Sequence, residues 1–328
     1  MKILILGSGS FAGQALFSNL LENEFEVFGI NRSALKQNHY WEWINKYQKG
    51  NLNWYELNLN KNSEEISKLI KEINPTHIID FMGQGMVAPS WENPKLWYST
   101  NISEKTFILE TIRNLDSLEK YVRASTPEVY GSNSLFINEK HSFNPSTPYA
   151  VSHAAIDSHI RCLGKQYNFP YSIGRFSNFY GEGQQLYRVI PRAILSCLTG
   201  KKFILDGKGA SKRFFIHSND IVSSVKLLLF NTSNFSEYNF SGNEEISISD
   251  LIYLICQITN VNFKDIVEFG PERAGKDMFY RLDCKKALSE LMWEPKVNLR
   301  EGIEVTVEWI VRNLDKLSKE NWNYIHKN

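Results

Sequence analysis

Short apolar runs alternate with stretches of helical period along the first half of the chain. Lys2 to Leu6 is an aliphatic run too short for a helix, followed by Gly7-Ser8-Gly9-Ser10-Phe11-Ala12-Gly13 and then the helix-like AQALFSNLL. The pattern reads as strand, phosphate loop and helix. It repeats with strands over 25–30, 54–57 and 76–81, and helices over 38–47 and 63–73. Two more strand-like runs, 120–125 and 171–176, each follow a long helical pattern, 94–114 and 149–167. Strands alternating with helices predict an α/β fold with a doubly wound parallel sheet of Rossmann type.

Beyond Tyr180 the pattern changes to turn-rich pieces, GEGQQLYR and DGKGASKR, between helices over 189–198, 248–259 and from Ser289 onward. A smaller mixed α/β substrate domain is expected there. The boundaries read as 1–180, with about 212–232 returning, for a dinucleotide-binding domain, and 181–211 with 233–328 for the second domain.

Composition removes several function classes. Thirty-seven Lys+Arg against 36 Asp+Glu leave a formal charge of +1 over 328 residues. Such a chain has no global basic field to attract nucleic acid or anionic lipid. Cys162, Cys197, Cys256 and Cys284 form no C-x-x-C pair, so neither a zinc site nor a disulfide framework is suggested. No apolar stretch reaches the ~20 residues of a membrane span. A cytoplasmic protein is expected, with no metal, nucleic acid or membrane partner.

Gly7, Gly9 and Ala12 satisfy G-x-G-x-x-G/A between a strand and a helix. Residues without side chains let the backbone approach a pyrophosphate, and the helix N-terminus presents unpaired N–H groups to it. Gly7, Gly9, Ser10, Phe11, Ala12 and Gly13 are therefore candidate cofactor contacts. The second strand runs into Asn31-Arg32-Ser33, with no acid to accept from a ribose 2′-hydroxyl and an Arg beside that place. NADP is favoured over NAD, with Ser33 and Lys36 as further candidates.

Further motifs follow: Phe81-Met82-Gly83-Gln84, Asn101, Ser125-Thr126-Pro127-Glu128-Val129-Tyr130-Gly131, Tyr149 four residues before His153, Arg175-Phe176-Ser177-Asn178-Phe179-Tyr180-Gly181, Arg213-Phe214-Phe215-Ile216-His217, and Arg273-Ala274-Gly275-Lys276-Asp277. In this ordered set the chain resembles the extended short-chain dehydrogenase/reductases, specifically the nucleotide-sugar 4,6-dehydratases, over nearly its full length. The resemblance implies oxidation at sugar C4 by a bound nicotinamide, loss of water across C5 and C6, and return of the hydride to C6. Such enzymes serve deoxysugar and surface-polysaccharide precursor synthesis.

By that resemblance Tyr149 is the base at the 4-hydroxyl and Thr126 hydrogen-bonds the same oxygen. A phenol of ordinary pKa about 10 needs local positive charge to act near neutrality. In the family a Lys four residues on supplies it and holds the nicotinamide ribose; here the residue is His153, a weaker source of field unless protonated. Glu128 matches the residue that takes the C5 proton. The acid that usually precedes it is replaced by Pro127, so either Glu128 performs both proton transfers or the acid comes from elsewhere.

The resemblance also places Asn58, Leu59, Met82, Gly83 and Gln84 near the cofactor, and Asn101 at a helix position that maintains an active-site water or a backbone kink. Gln84, Asn178, Arg188, Arg213 and Arg273 fall toward a nucleoside-diphosphate sugar, whose phosphates suit Arg forks. His39, Trp41, Trp43 and Tyr47 read as packing residues, and the helices near 99–113 and 149–166 as a homodimer interface. A decarboxylase, a 4-epimerase, a 4-dehydrogenase and a non-catalytic cofactor-binding homologue remain as alternatives, and His153 and Pro127 keep the last of these open.

Overall fold

The computed structural model describes residues 1–35, 39–47, 52–271 and 279–326. Its first half runs β1 (Lys2–Leu6), α1 (Phe11–Glu22), β2 (Glu26–Asn31), β3 (Asn53–Glu56), α2 (Ser63–Ile73), β4 (His77–Asp80), α3 (Ala88–Glu92), α4 (Pro94–Tyr98), α5 (Lys105–Arg113), β5 (Lys120–Ser125), β6 (Asn133–Ile137), α6 (Pro148–Tyr167) and β7 (Tyr171–Phe176). The second half adds β8 (Asn178–Tyr180), α7 (Val189–Thr199), β9 (Phe203–Asp206), β10 (Lys212–His217), α8 (Ser218–Phe230), β11 (Ser236–Phe240), β12 (Glu245–Ser247), α9 (Ile248–Ile258), α10 (Phe263–Ile266), β13 (Val267–Gly270), β14 (Tyr280–Leu282), α11 (Lys285–Leu291), α12 (Leu299–Arg312) and α13 (Leu314–Leu317).

The main sheet has seven strands in the order β11-β7-β5-β4-β1-β2-β3, every neighbouring pair parallel. This is the doubly wound arrangement expected from the alternation. Period two explains how β1 serves both faces. Ile3 and Ile5 pack with Leu16, Phe17, Ile221 and Val225 of α1 and α8, whereas Leu4 and Leu6 pack with Ile66, Ile70, Ile108 and Ile156 of α2, α5 and α6. The order reverses at β1, between β2 and β4, so a crevice opens at the carboxyl ends of β1 and β4.

A second core, including Ile190, Ile194, Leu251, Ile255, Ile303 and Trp309, lies among α7, α9 and α12. Beside it β10 pairs in parallel with β8 and antiparallel with β12, and β9 pairs with β13. Residues 236–240, placed by sequence in the second domain, form the edge strand β11 of the main sheet. The chain therefore returns to that sheet beyond residue 232, because Tyr238 and Phe240 have their apolar partners there.

Two helical expectations differ from what is observed. In the described part of 38–47 the chain forms a short 3₁₀ turn, Glu42–Lys46. Trp41 and Trp43, two apart, cannot share one helix face; their rings meet Phe17 and Trp54 across the turn, with Trp41 buried. The continuous helix expected over 94–114 is α4, a π-helical stretch at Ser99–Glu104, and α5. Among the described residues no helix is long and apolar enough to cross a membrane, and no cluster of His, Cys, Asp or Glu could hold a metal ion.

Candidate active site

A cleft of about 740 Å³ opens at the strand crossover. Gly7, Gly9, Ser10, Phe11, Ala12, Asn31, Arg32, Ser33, Asn58 and Leu59 line it. Met82, Gly83, Gln84, Thr126, Glu128, Tyr149, His153, Asn178 and Arg188 line the same cleft. Gly13, between the lining residues Ala12 and Gln14, does not itself line the cleft. Arg213 lies outside the wall, its guanidinium over the Tyr280 ring at 4.5 Å. Arg273 and Lys36 fall outside the described residues.

The loop geometry fits a dinucleotide. Gly7 has φ +80°, where side chains are strained, and a Cβ on Gly9 would lie 2.1 Å from Asn31 Nδ2. Ser10 caps α1 by accepting from the Gly13 N–H at 3.0 Å, and the first turn carries no acid to repel a phosphate. The cleft thus joins the glycine loop to a helix N-terminus with no acid in its first turn, and its lining includes both Arg32 and Tyr149.

Asn101 explains the break in the expected helix. The π-helical stretch turns its amide toward the loop after β4, where Oδ1 accepts from Gln84 N–H at 2.7 Å and Nδ2 donates to Gln84 O at 3.0 Å. Nδ2 also donates to Ser152 Oγ at 3.0 Å, tying that loop to α6. A regular α-turn would not place the side chain there, consistent with the frequent use of π-bulges at functional sites.

Thr126 ends β5 and caps the 3₁₀ turn Pro127–Tyr130, its Oγ1 accepting from Glu128 N–H at 3.3 Å. Pro127 at the first position of the turn costs no hydrogen bond there. Tyr149 and His153 are one turn apart on α6, with ring centroids 4.5 Å apart. Burial pushes the Tyr149 phenol well above its ordinary pKa and the Glu128 carboxylate adds to this; a hydrogen bond with Thr126 and the charges of Arg188 and Arg123 act the other way. His153 is pushed well below its ordinary value, first by burial and then by the cations Arg123 and Lys105. It is neutral.

Sequence reasoning missed what lies beneath these residues. Arg123, 2% exposed, donates from Nη2 to His153 Nδ1 at 3.0 Å. Lys105 grips both oxygens of Asp80 at 2.7 Å and also donates to Met82 O, while Tyr121 Oη donates to Asp80 at 2.6 Å. Burial alone would raise the Asp80 pKa, but Lys105 and Arg123 overcome it and hold the carboxyl below its ordinary range. Asp157 accepts from Ser125 Oγ at 2.8 Å and Arg175 Nη2 at 3.0 Å. Charges inside otherwise apolar strands, Arg123 in KYVRAS and Asp80 in HIID, were the available signal. The cleft mouth also includes Glu320, Asn321, Asn323, Tyr324 and Ile325. Glu320 accepts from Tyr40 Oη at 2.7 Å, and the Tyr324 ring meets Tyr187 edge-on at 5.1 Å. No motif pointed to this segment.

The chain matches the family model described as GDP-mannose 4,6 dehydratase over residues 4–306. A dTDP-glucose 4,6-dehydratase of Haemophilus influenzae is 27% identical over 342 residues, covering 95% of this chain and 98% of that one. The solved dTDP-glucose 4,6-dehydratase of Bacillus anthracis in complex with NAD has a TM-score of 0.84 at 27% identity, covering 96% and 98%. A UDP-glucose 4-epimerase of Thermotoga maritima with UDP-glucose reaches 0.87 at 24% identity, covering 96% and 100%, which speaks to the fold alone.

Proposed function

The chain belongs to the GDP-mannose 4,6-dehydratase family, and from this premise we propose that it is a nicotinamide-dependent lyase that dehydrates a nucleoside-diphosphate sugar across C5 and C6. The observation that carries the reading is the meeting of Thr126, Glu128 and Tyr149 with the glycine loop in one cleft.

A bound nicotinamide supplies the redox exchange with C4 and C6; Gly7, Gly9, Ser10, Asn31, Arg32 and His153 would hold the cofactor. Tyr149 removes the proton of the 4-hydroxyl, and Thr126 orients that oxygen. The resulting ketone acidifies C5–H, and Glu128 takes this proton. Pro127 has no proton to give, so Glu128 returns the proton to the departing C6 hydroxyl, which leaves as water. Asn178 would donate to the diphosphate and Arg188 would line the nucleoside end, with Arg213 as a further cation for the phosphates.

The finer reading of the cofactor is NADP, supported by Arg32 in the cleft wall and the lack of an acid at Asn31. A cytoplasmic homodimer belongs to the same reading. Exposed Phe107 on α5 and Val151 on α6 support that interface, and sedimentation tests it.

Mass spectrometry of the protein with dTDP-glucose, GDP-mannose, CDP-glucose, UDP-N-acetylglucosamine and UDP-glucuronate tests the reaction. Loss of one water from one of them is expected, absent in Glu128→Gln. Loss of carbon dioxide from the glucuronate, or no mass change in any, would overturn the assignment.

A further inference from the structure

The cation that Tyr149 needs is missing from position 153, yet the structure holds a permanent charge directly behind that residue. Arg123 rises from β5 three residues before Thr126, fully enclosed, and its Nη2 lies 3.0 Å from His153 Nδ1. A guanidinium has no acceptor, so this contact fixes the roles. Nδ1 accepts, and Nε2 carries the imidazole proton as a donor. His153 lines the cleft.

The surrounding charges leave Arg123 available for this task. Asp80 is engaged at contact distance by Lys105 and by the Tyr121 hydroxyl, and Asp157 by Arg175 and Ser125. The Arg123 guanidinium stands 3.9 Å from Asp80 and 3.8 Å from Asp157, at ion-pair distance from both but beyond hydrogen-bond reach. Two buried carboxylates thus face three buried cations, Lys105, Arg123 and Arg175. Glu237, the next acid, is shared by Arg175 and Arg161. Arg123 is thus the outer ion-pair partner of both carboxylates, and its closest side-chain contact is His153.

We propose that Arg123 takes over the cationic role at this site: it locks His153 as the Nε2–H tautomer, a donor for the nicotinamide ribose, and supplies the positive field that makes Tyr149 a competent base. The inference rests on the dehydratase reading and deepens it. The function of one lysine is divided between two residues, the imidazole supplying the hydrogen bond and the guanidinium the charge. Arg123 is a positioning residue, acting on the reaction through His153 and Tyr149. The other charged groups facing the pair are Glu128 and Arg188 at Tyr149 and Lys105 at His153. Glu128 opposes the effect and the two cations reinforce it.

A residue needed merely to fill and neutralise the core would not be replaceable from position 153. The test is therefore a cycle of Arg123→Gln, His153→Lys and the double variant, read by the pH profile of kcat and by titration of the cofactor into each protein. Arg123→Gln is expected to move the limb governed by Tyr149 to higher pH by about 1 and to lower kcat at neutral pH about tenfold, with KM changed less. His153→Lys alone crowds two buried cations and gains nothing. The double variant, with the ammonium at 153 and no guanidinium behind it, recovers most of the loss.

Nitrogen-15 spectra of histidine-labelled wild type, with the His153 resonance identified by its loss in His153→Lys, give a readout that needs neither turnover nor a stable Arg123 variant. They should show a neutral ring protonated at Nε2 from about pH 5.5 to 9. An imidazolium, an Nδ1–H tautomer, or a double variant no better than Arg123→Gln would overturn the proposal. A wild type that converts no nucleotide sugar yet shows this tautomer, with cofactor binding weakened in Arg123→Gln, would refute the dehydratase reading alone.

Discussion

Replacing Lys105 by Met removes the ammonium that grips both oxygens of Asp80 at 2.7 Å while keeping most of the aliphatic stem. Asp80 is 0% exposed and keeps the Tyr121 hydroxyl at 2.6 Å and the Met82 N–H at 2.9 Å, with Arg123 no nearer than 3.9 Å. Little apolar burial changes, so the dominant loss is the counter-charge of a fully enclosed carboxylate, about 3–5 kcal/mol. In the wild type Asp80 titrates below its ordinary range, so its contribution is full at neutral pH and lost as pH falls through the folded value. In the variant the order reverses, because a buried carboxyl without a contacting cation titrates above its unfolded value and regains stability on protonation. The deficit measured by urea unfolding, followed by tryptophan fluorescence, should be largest near pH 7 and smaller near pH 5. The Asp80→Asn/Lys105→Met double variant, which removes both members of the contacting pair and leaves Arg123 at ion-pair distance from Asp157, should recover most of it. A deficit below about 1 kcal/mol at pH 7, or a double variant as unstable as Lys105→Met, would show that the pair contributes little.

Other consequences are equally specific. In Gly13→Ala the new methyl would lie 2.3 Å from Gly7 O, prising α1 from the loop, so nicotinamide dinucleotide affinity should fall at least about tenfold; an unchanged Kd by fluorescence titration would contradict the close approach. Asn101→Ala leaves Gln84 N–H and O without their partner and should cost about 1–3 kcal/mol in thermal unfolding, with a larger effect on KM than a distant substitution of equal cost. Arg32→Asp should reverse the preference between the two dinucleotides toward NAD, as read from paired binding titrations; equal affinities in wild type and variant would remove Arg32 from cofactor selection.

Much of this architecture is local in origin and was legible in the sequence. Aliphatic runs such as Lys2–Leu6 can be buried on both faces only as central parallel strands, and Gly7, Gly9 and Gly13 are demanded by the approach of a backbone or side chain within van der Waals range. The residues gathered along the cleft were likewise readable as ordered motifs, because each is short and sits at the end of a strand or the start of a helix. Other features depended on partners far apart along the chain. The π-helical turn exists where Asn101 meets Gln84 and Ser152, and β11 joins the main sheet because its apolar side chains find cover there. The tail at Glu320 reaches the cleft mouth through a contact with Tyr40, 280 positions away. The charge missing at His153 was visible in the sequence as a substitution. Its replacement by Arg123 was not, since whether a buried arginine is neutralised or left with an excess depends on where Asp80, Lys105, Asp157 and Arg175 fall in space, which periodicity and motif spacing do not encode.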